Sequence, residues 1–454
     1  MSQENVSPEN ADALEAEVQA GMKLGPIRMV PGVLPQHVAS LFFASFFGIA
    51  VMSYMNAGQP LILGEILGIA SENFGSVAGN LTFYHEIVVL LCIAPIGALS
   101  DKIGRRPLYC AAFILLGIGH FLYPLAQNIE QLTAYRMIFA VGTASASAML
   151  AAVANDYPQE ASRAKMIGFT MAFNAIGMVF ITWFLKDAPE MYQGMGYSVV
   201  ESIKYTRWTV TGMCFTVAAV VIVGLKKGAP VKVEKGDSFM KTIKIGFSSA
   251  KTPRIALSYF AAVVSRGDLA VLSTFFTIWL YKEGVSQGLS ATDAMATGLK
   301  FYILIQAAAL VTAGFAGFIL DKIDRVIGLM VAMLFAGAGY LSLAVVGDPL
   351  GSGMYYCAVL IGIGEITANL SSLSLVGKEA PTKGRGAVIG MFSLFGAFGI
   401  LLVAKIGGIL FDAWMSIGPF VLVGIANLVV FVVAGLLLVG EKMSGKEVTL
   451  ADNA

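Results

Sequence analysis

Gly97-Ala98-Leu99-Ser100-Asp101-Lys102-Ile103-Gly104-Arg105-Arg106 stands between two long apolar runs. Gly317-Phe318-Ile319-Leu320-Asp321-Lys322-Ile323-Asp324-Arg325 stands between two more, 220 residues further on. A second echo accompanies the first: Pro158, Arg163 and Gly168 recur as Pro381, Arg385 and Gly390. Two copies of one pattern, half a chain apart and set among apolar segments, point to a duplicated membrane bundle, the usual plan of a secondary transporter.

Composition supports that reading. The 454 residues are 57% hydrophobic and only 13% charged, with a mean hydropathy of +0.76, against roughly 25% charged in soluble domains. A net charge of +1 argues against nucleic acid as a partner. The three histidines, His37, His85 and His120, are widely separated. The four cysteines, Cys92, Cys110, Cys214 and Cys357, all fall inside apolar runs at no metal-ligand or disulfide-like spacing, which reads as packing. No catalytic pair, metal set or cofactor motif is evident, so the chain reads as a non-enzyme. The 50 glycines suit close helix contacts in lipid, and Ala144, Ala148 and Ala152 form a small-residue seam. The acidic arm shows no removable signal peptide. Leu14, Val18 and Met22 fit one helical stripe there, and a solvated tail fits equally.

A spanning helix needs about 20 mostly apolar residues. Twelve segments qualify: Val38–Leu63, Leu81–Ser100, Pro107–Ala126, Leu132–Ala154, Met166–Leu185, Trp208–Leu225, Ile255–Tyr281, Leu299–Leu320, Val326–Val346, Met354–Val376, Ala387–Ile406 and Ile417–Gly440. They divide the chain into an arm (1–37), a first six-span bundle (38–225), a basic linker (226–254), a second bundle (255–440) and a tail (441–454). Placing both ends in the cytoplasm puts 22 of the 30 Lys and Arg on that side, as the positive-inside tendency requires. Six go opposite: Lys186, Lys204, Arg207, Lys282, Lys300 and Lys405. The expected location is the cell inner (plasma) membrane. In the linker, Phe239, Met240, Ile243 and Phe247 recur at helical spacing among Lys241, Lys244 and Lys251. A helix lying on the membrane surface and a solvated tether both fit.

The loop Gly97 to Arg106, between spans 2 and 3, resembles the signature loop of the major facilitator superfamily. The copy between spans 8 and 9 departs at Asp324, where the pattern has glycine. The resemblance implies an all-α membrane protein of two pseudo-symmetric six-helix bundles, working by alternating access, with spans 1, 2, 4, 5, 7, 8, 10 and 11 lining the cavity. It also implies gating by Gly97, Asp101, Gly104, Arg105, Arg106, Asp321 and Arg325, with Asp101 latching the bundles together when the cavity opens outward. Beneath that, Asp101 is placed to accept bonds from a neighbouring helix N-terminus, and Gly104 allows a tight turn.

Ionisable residues inside spans are the best indicators of a site, since each costs about 2.5–3.5 kcal/mol at mid-bilayer on insertion scales. Five qualify: Glu86, Arg136, Arg266, Asp268 and Glu365. None falls on spans 3, 6, 9 or 12. Glu365 lies 11 residues into span 10, about 16 Å deep, with Arg266 and Asp268 similarly deep in span 7. Residues two apart on a helix diverge, so Arg266 and Asp268 share the cavity only if span 7 breaks at Gly267. Glu365 is read as the proton-coupling carboxylate, Arg266 as its switchable partner or an anion anchor, and Asp268 as the competing carboxylate; a static Arg266–Glu365 pair is the plain alternative. Glu86 and Arg136 read as lying about five residues inside the outer ends of spans 2 and 4, contributing to coupling and substrate contact or snorkelling outward. Arg136, with Gly142 six residues on, matches a second pattern of the family. Asn56, Gln59, Asn174, Gln306 and Asn369 complete a polar cavity, with Phe42, Phe46 and Tyr54 as an aromatic wall. His120 and Asn427 are polar residues on spans 3 and 12.

These features describe a monomeric carrier in lipid that moves a small organic molecule, an anion or zwitterion, with protons. Span 5 lacks the proline of many drug–proton antiporters of the family, which leaves proton-driven efflux of drugs or metabolites as the alternative.

Overall fold

A computed structural model describes residues 21–228, 239–320, 322–381 and 384–443. Twelve helices are long and apolar enough to cross a membrane: Pro35–Ala57, Ser71–Ile103, Arg105–Leu125, Ile129–Asp156, Glu160–Gly194, Val199–Gly224, Pro253–Ser286, Ala291–Gly317, Arg325–Ser342, Gly353–Glu379, Arg385–Ala413 and Gly418–Met443. They are called spans 1 to 12 below. The face bearing the linker is the linker face and its opposite the far face.

The duplication is visible in the packing. Span 1 lies on spans 5 and 6, span 2 on span 4, and span 3 on spans 4 and 6. The second half repeats this, with span 7 on 11 and 12, 8 on 10, and 9 on 10 and 12. The bundles meet through two equivalent seams, span 2 against span 11 and span 5 against span 8. A wide helical turn follows span 1 at Ile62–Ile66, and another interrupts the far half of span 7 at Leu272–Phe276. Span 7 therefore runs helical through Gly267, and its irregular turn comes later than expected. Gly267 serves packing instead: a side chain there would press on Val403 of span 11.

Several helices outrun their apolar stretches because other contacts hold the extra turns. Span 6 begins at Val199, not Trp208, behind a capping box in which Ser198 and Glu201 satisfy each other's backbone N–H groups. Span 2 begins before Leu81, and its first turn is fixed by the second bundle, as described below. On the linker face, Gly104 takes a positive φ of 93°, a conformation open to glycine, and so joins spans 2 and 3 almost without a loop.

Asp324 explains the departure in the second signature loop. Its Oδ1 accepts from the backbone N–H of Val326 (2.8 Å) and Ile327 (3.3 Å), capping span 9. Its Oδ2 takes an ion pair from Arg254 (3.2 Å), which also reaches Glu379 (3.3 Å) and Glu441 (2.8 Å). One arginine thus ties the linker-face ends of spans 7, 9, 10 and 12. In the first bundle Arg105 plays the matching part, bridging Asp101 (2.7 Å) and Asp156 (3.0 Å).

The described part of the N-terminal arm is not helical. Lys23–Leu24 pairs with Ile27–Arg28 around Gly25, and Met29 pairs with Pro158 in the loop between spans 4 and 5. Met22 therefore leaves the expected helical stripe, while Leu14 and Val18 lie outside the described residues. Burial pushes the Tyr157 phenol up to about 12, so it stays protonated where it accepts from the Lys226 backbone N–H at 3.1 Å. The linker does form a helix, Phe239–Ser249. It docks on the start of span 11, where Gly246 meets Met391 and its carbonyl accepts from Tyr259 (3.0 Å).

Asp324→Gly restores the signature pattern yet removes the cap, worth a few tenths of a kcal/mol against glycine, and one ion pair, so it is expected to lower stability by about 0.5–1 kcal/mol. Asp324→Asn, which keeps a capping oxygen, should lose less. Thermal unfolding of the purified protein reads both; an unchanged midpoint for Asp324→Gly contradicts the assignment.

Candidate functional site

The bundles are sealed in their far half. Asp412, at the end of span 11, accepts from the backbone N–H groups of Gly75 (2.8 Å) and Ser76 (2.6 Å) in the other bundle. A carboxylate suits that helix N-terminus through both hydrogen bonding and the helix dipole. Below it, Lys405 Nζ donates to Asn80 (2.8 Å), and the hydroxyls of Thr82 and Thr274 meet at 3.2 Å. Tyr281 donates to Glu65 at 3.1 Å. Glycine lets the backbones close up: a Cβ on Gly79 would collide with the Ala404 carbonyl oxygen.

Toward the linker face the seal ends. Among the described residues, the hydrogen bonds that cross between bundles all lie in the far half. Span 2 is largely buried from Phe74 to Thr82, and beyond that only Ser100 is buried. The gap therefore opens on the linker face.

Glu86 and Arg266 sit at the top of that gap. Glu86 is one turn beyond Thr82 on span 2, and Arg266 two turns from Thr274 on span 7, about 6 and 12 Å along their helices. Both are half-buried, and they interact electrostatically across the bundle boundary without closing into an ion pair. Because span 2 starts early, Glu86 lies near mid-helix and not near the outer end as expected. The expected Arg266–Glu365 pair is not formed.

Asp268 turns away from Arg266, as a regular helix requires. It is fully buried and accepts from Asn427 Nδ2 of span 12 at 2.8 and 3.0 Å, while Tyr340 of span 9 donates to its carbonyl (3.2 Å). Asn427, which stood out in span 12, thus serves an internal seam. Glu365 is 3% exposed and its Oε2 has no hydrogen-bond partner. Tyr302, Tyr340 and Asp268 lie within electrostatic reach of it. The interior of the second bundle thus holds two carboxylates, and among the described residues no ion pair reaches either.

The first bundle is its opposite. Arg136 is 2% exposed, so it does not snorkel; it hydrogen-bonds Asn56 and lies over Phe139. Arg207, expected at the far surface, is 1% exposed inside span 6, stacked on Tyr54 and Tyr123 and 3.4 Å from His120 Nδ1. The expectation that span 6 carries no charge is therefore corrected. The missed signal was the Ser198–Glu201 capping box, which starts the helix eight residues before Arg207. Two guanidiniums here cost about 5–7 kcal/mol on insertion scales, offset partly by the aromatic faces.

The other expected site residues are dispersed. Gln59 is buried beside Tyr123 (3.5 Å), and Asn174, Gln306 and Asn369 are half-buried on spans 5, 8 and 10. Phe42 stacks on Phe173 of span 5 (4.7 Å between centroids), so this part of the aromatic wall is packing. Of the gating set, Asp101 pairs with Arg105 of its own bundle, Gly97 faces open space, Arg106 is half-buried, and Arg325 donates to the Leu320 carbonyl. Asp321 lies outside the described residues.

Comparison with known proteins accords with this geometry. Residues 41–404 match the model of the Major Facilitator Superfamily. Magnetosome protein MamH of Paramagnetospirillum magneticum is 26% identical over 423 residues, 90% of this chain and 94% of that protein. Magnetosome protein MamZ of the same organism is 24% identical over 84% of this chain, which spans 59% of MamZ. Among solved structures, nucleoside transporter NupG superposes with a TM-score of 0.70 at 15% identity, over 89% of this chain and 99% of its own. A bacterial homologue of the lysosomal transporter Spinster, inward-facing and unoccupied, gives 0.64 at 15%, over 90% and 98%. These likenesses show the fold.

Asp412→Asn weakens the cap on span 2 and should loosen the far seal. In a background without native cysteines, Thr82→Cys is expected to react several-fold faster with a hydrophilic maleimide when Asp412→Asn is added. An unchanged rate argues against Asp412 as a closing contact.

Proposed function

The chain belongs to the Major Facilitator Superfamily, and from that premise we propose that it carries a small zwitterionic or anionic organic solute by proton-coupled alternating access. One observation carries the reading: Glu86 and Arg266, from opposite bundles, lie within electrostatic reach of each other without an ion pair, just beneath the seal. A cargo carboxylate engages the Arg266 guanidinium through two parallel hydrogen bonds, and a cationic group of the same cargo engages Glu86. A solute held by both bundles draws them together and favours closure of the linker face.

Glu365 is the proton site in this proposal. An ionised carboxylate there lacks a counter-charge in a low-dielectric interior, and protonation removes that cost. Arg266 stands on the neighbouring span 7, and its release from Glu86 or from cargo would let it approach Glu365. Asp268, with both oxygens held by Asn427, has a structural part. The orientation proposed puts the linker face and both termini in the cytoplasm, in keeping with the basic linker; the location is the cell inner membrane and the working unit a monomer. Asp101 and its partners are proposed to latch the linker face in the opposite state.

The efflux reading keeps one specific support, since multi-drug resistance efflux pump PmrA of Streptococcus pneumoniae is 23% identical over 78% of this chain. A thermal-shift screen against metabolite classes separates the two. Stabilisation by zwitterions or anions, weakened at least tenfold in apparent affinity by Arg266→Ala, supports the proposal. Stabilisation only by lipophilic cations, indifferent to Arg266→Ala, overturns the cargo assignment.

Coupling is read separately in sealed vesicles. Glu365→Gln should keep cargo exchange while losing accumulation driven by a pH gradient. Wild-type accumulation in that variant ends the coupling role.

A further inference from the structure

We propose that the first bundle contains a binding site for a small monovalent anion, built from Arg136 on span 4, Gln59 just beyond the end of span 1 and His85 on span 2. It is independent of the cargo assignment, which rests on Glu86 and Arg266. The observation is a surplus of buried donors. Arg136 is 2% exposed; its guanidinium donates from Nη2 to Asn56 and reaches the Tyr123 phenol oxygen, yet its Nε and Nη1 are buried without an aligned hydrogen-bond partner. Gln59 is 1% exposed, and its Nε2 is likewise buried and unpartnered. His85 Nδ1 is buried and unpartnered too and donates in the tautomer that carries the proton there, on a ring that packs on Phe139 (5.8 Å), the same ring that lies under Arg136 (5.7 Å).

These groups form one neighbourhood. Tyr123 links them, with its hydroxyl 3.5 Å from Gln59 Oε1, its phenol in contact with Arg136 and its ring 5.4 Å from the Arg207 guanidinium. Arg136 interacts electrostatically with His85 and with Arg207. Among the described residues no ion pair joins either arginine to a carboxylate. Two permanent cations and a set of unmet N–H donors in a membrane interior call for a negative charge, and buried donors are ordinarily satisfied. A water could meet the donors but not the charge. A halide or a single carboxylate meets both, and Arg136 with Gln59 supplies the planar amide-type donors that such anions accept from.

The test uses the full-length protein in detergent, with sodium gluconate, a carboxylate too bulky for a site that takes small anions, as the baseline at constant ionic strength. Replacing gluconate by chloride, or in a parallel series by acetate, should raise the melting temperature saturably. Response to chloride assigns the site to an inorganic ion, and response to acetate alone assigns it to a carboxylate. Gln59→Leu, which leaves both arginines in place, should raise the half-saturating concentration about tenfold, and Arg136→Gln should abolish the response. Should Arg136→Gln fail to fold, crystals grown in bromide should show an anomalous peak between Arg136 and Gln59. A melting temperature indifferent to both anions, a response that persists unchanged in Gln59→Leu and Arg136→Gln, or, for a protein that chloride stabilises, bromide crystals without that peak overturns the proposal.

Discussion

An ionised side chain in hydrocarbon is tolerated only when it is paired, neutralised or in contact with water, and this constraint organises the whole molecule. It separates three groups of residues that composition alone would pool. Arg266 and Glu86 border the gap between bundles. Asp268 and Glu365 lie inside the second bundle, Arg136 and Arg207 inside the first. The two interiors hold groups of opposite sign, and among the described residues no ion pair supplies either with a counter-charge of its own. Of these three groups, Glu86 and Arg266 are the one drawn from both halves.

The seal that defines the gap depends on the duplication. Spans 2 and 11 are equivalent partners to spans 5 and 8, and glycine at 75, 79 and 408 lets spans 2 and 11 approach at backbone distance. Asp412 then caps span 2 from the other bundle. On the linker face, the matching charges are spent within each bundle, by Arg105 in the first and by Arg254 in the second. These networks hold each bundle rigid at the face that is open, while the contacts between bundles concentrate at the face that is closed. That division is what a rocking mechanism requires.

Much of this was legible before any coordinates. Twelve spans, the half-chain repeat and the divergence of Arg266 and Asp268 follow from hydropathy, spacing and helical geometry, because each depends on residues near one another in sequence. The exact start of span 2 was not legible, since its first turns are held by Asp412, more than 300 residues away. Separation in sequence also hid the meeting of Glu86 with Arg266 and the preference of Asp268 for Asn427, the latter 159 residues apart. Arg207 is a different case, because the capping box at Ser198 and Glu201 was present in the sequence and marks the helix start that buries it. Asp324 shows the converse, a departure from a family pattern that proves to be a local cap.

The account stands on two bundles that alternate which face is open. The direct measurement is a pair of distances by double electron–electron resonance, with spin labels at Leu99 and Leu394 for the linker face and at Glu72 and Trp414 for the far face. Cargo-free protein should give a long linker-face distance and a short far-face distance. Addition of cargo at acidic pH should populate a second state in which the first shortens and the second lengthens together. Distances that stay single and fixed under every condition, or that change independently, would contradict it.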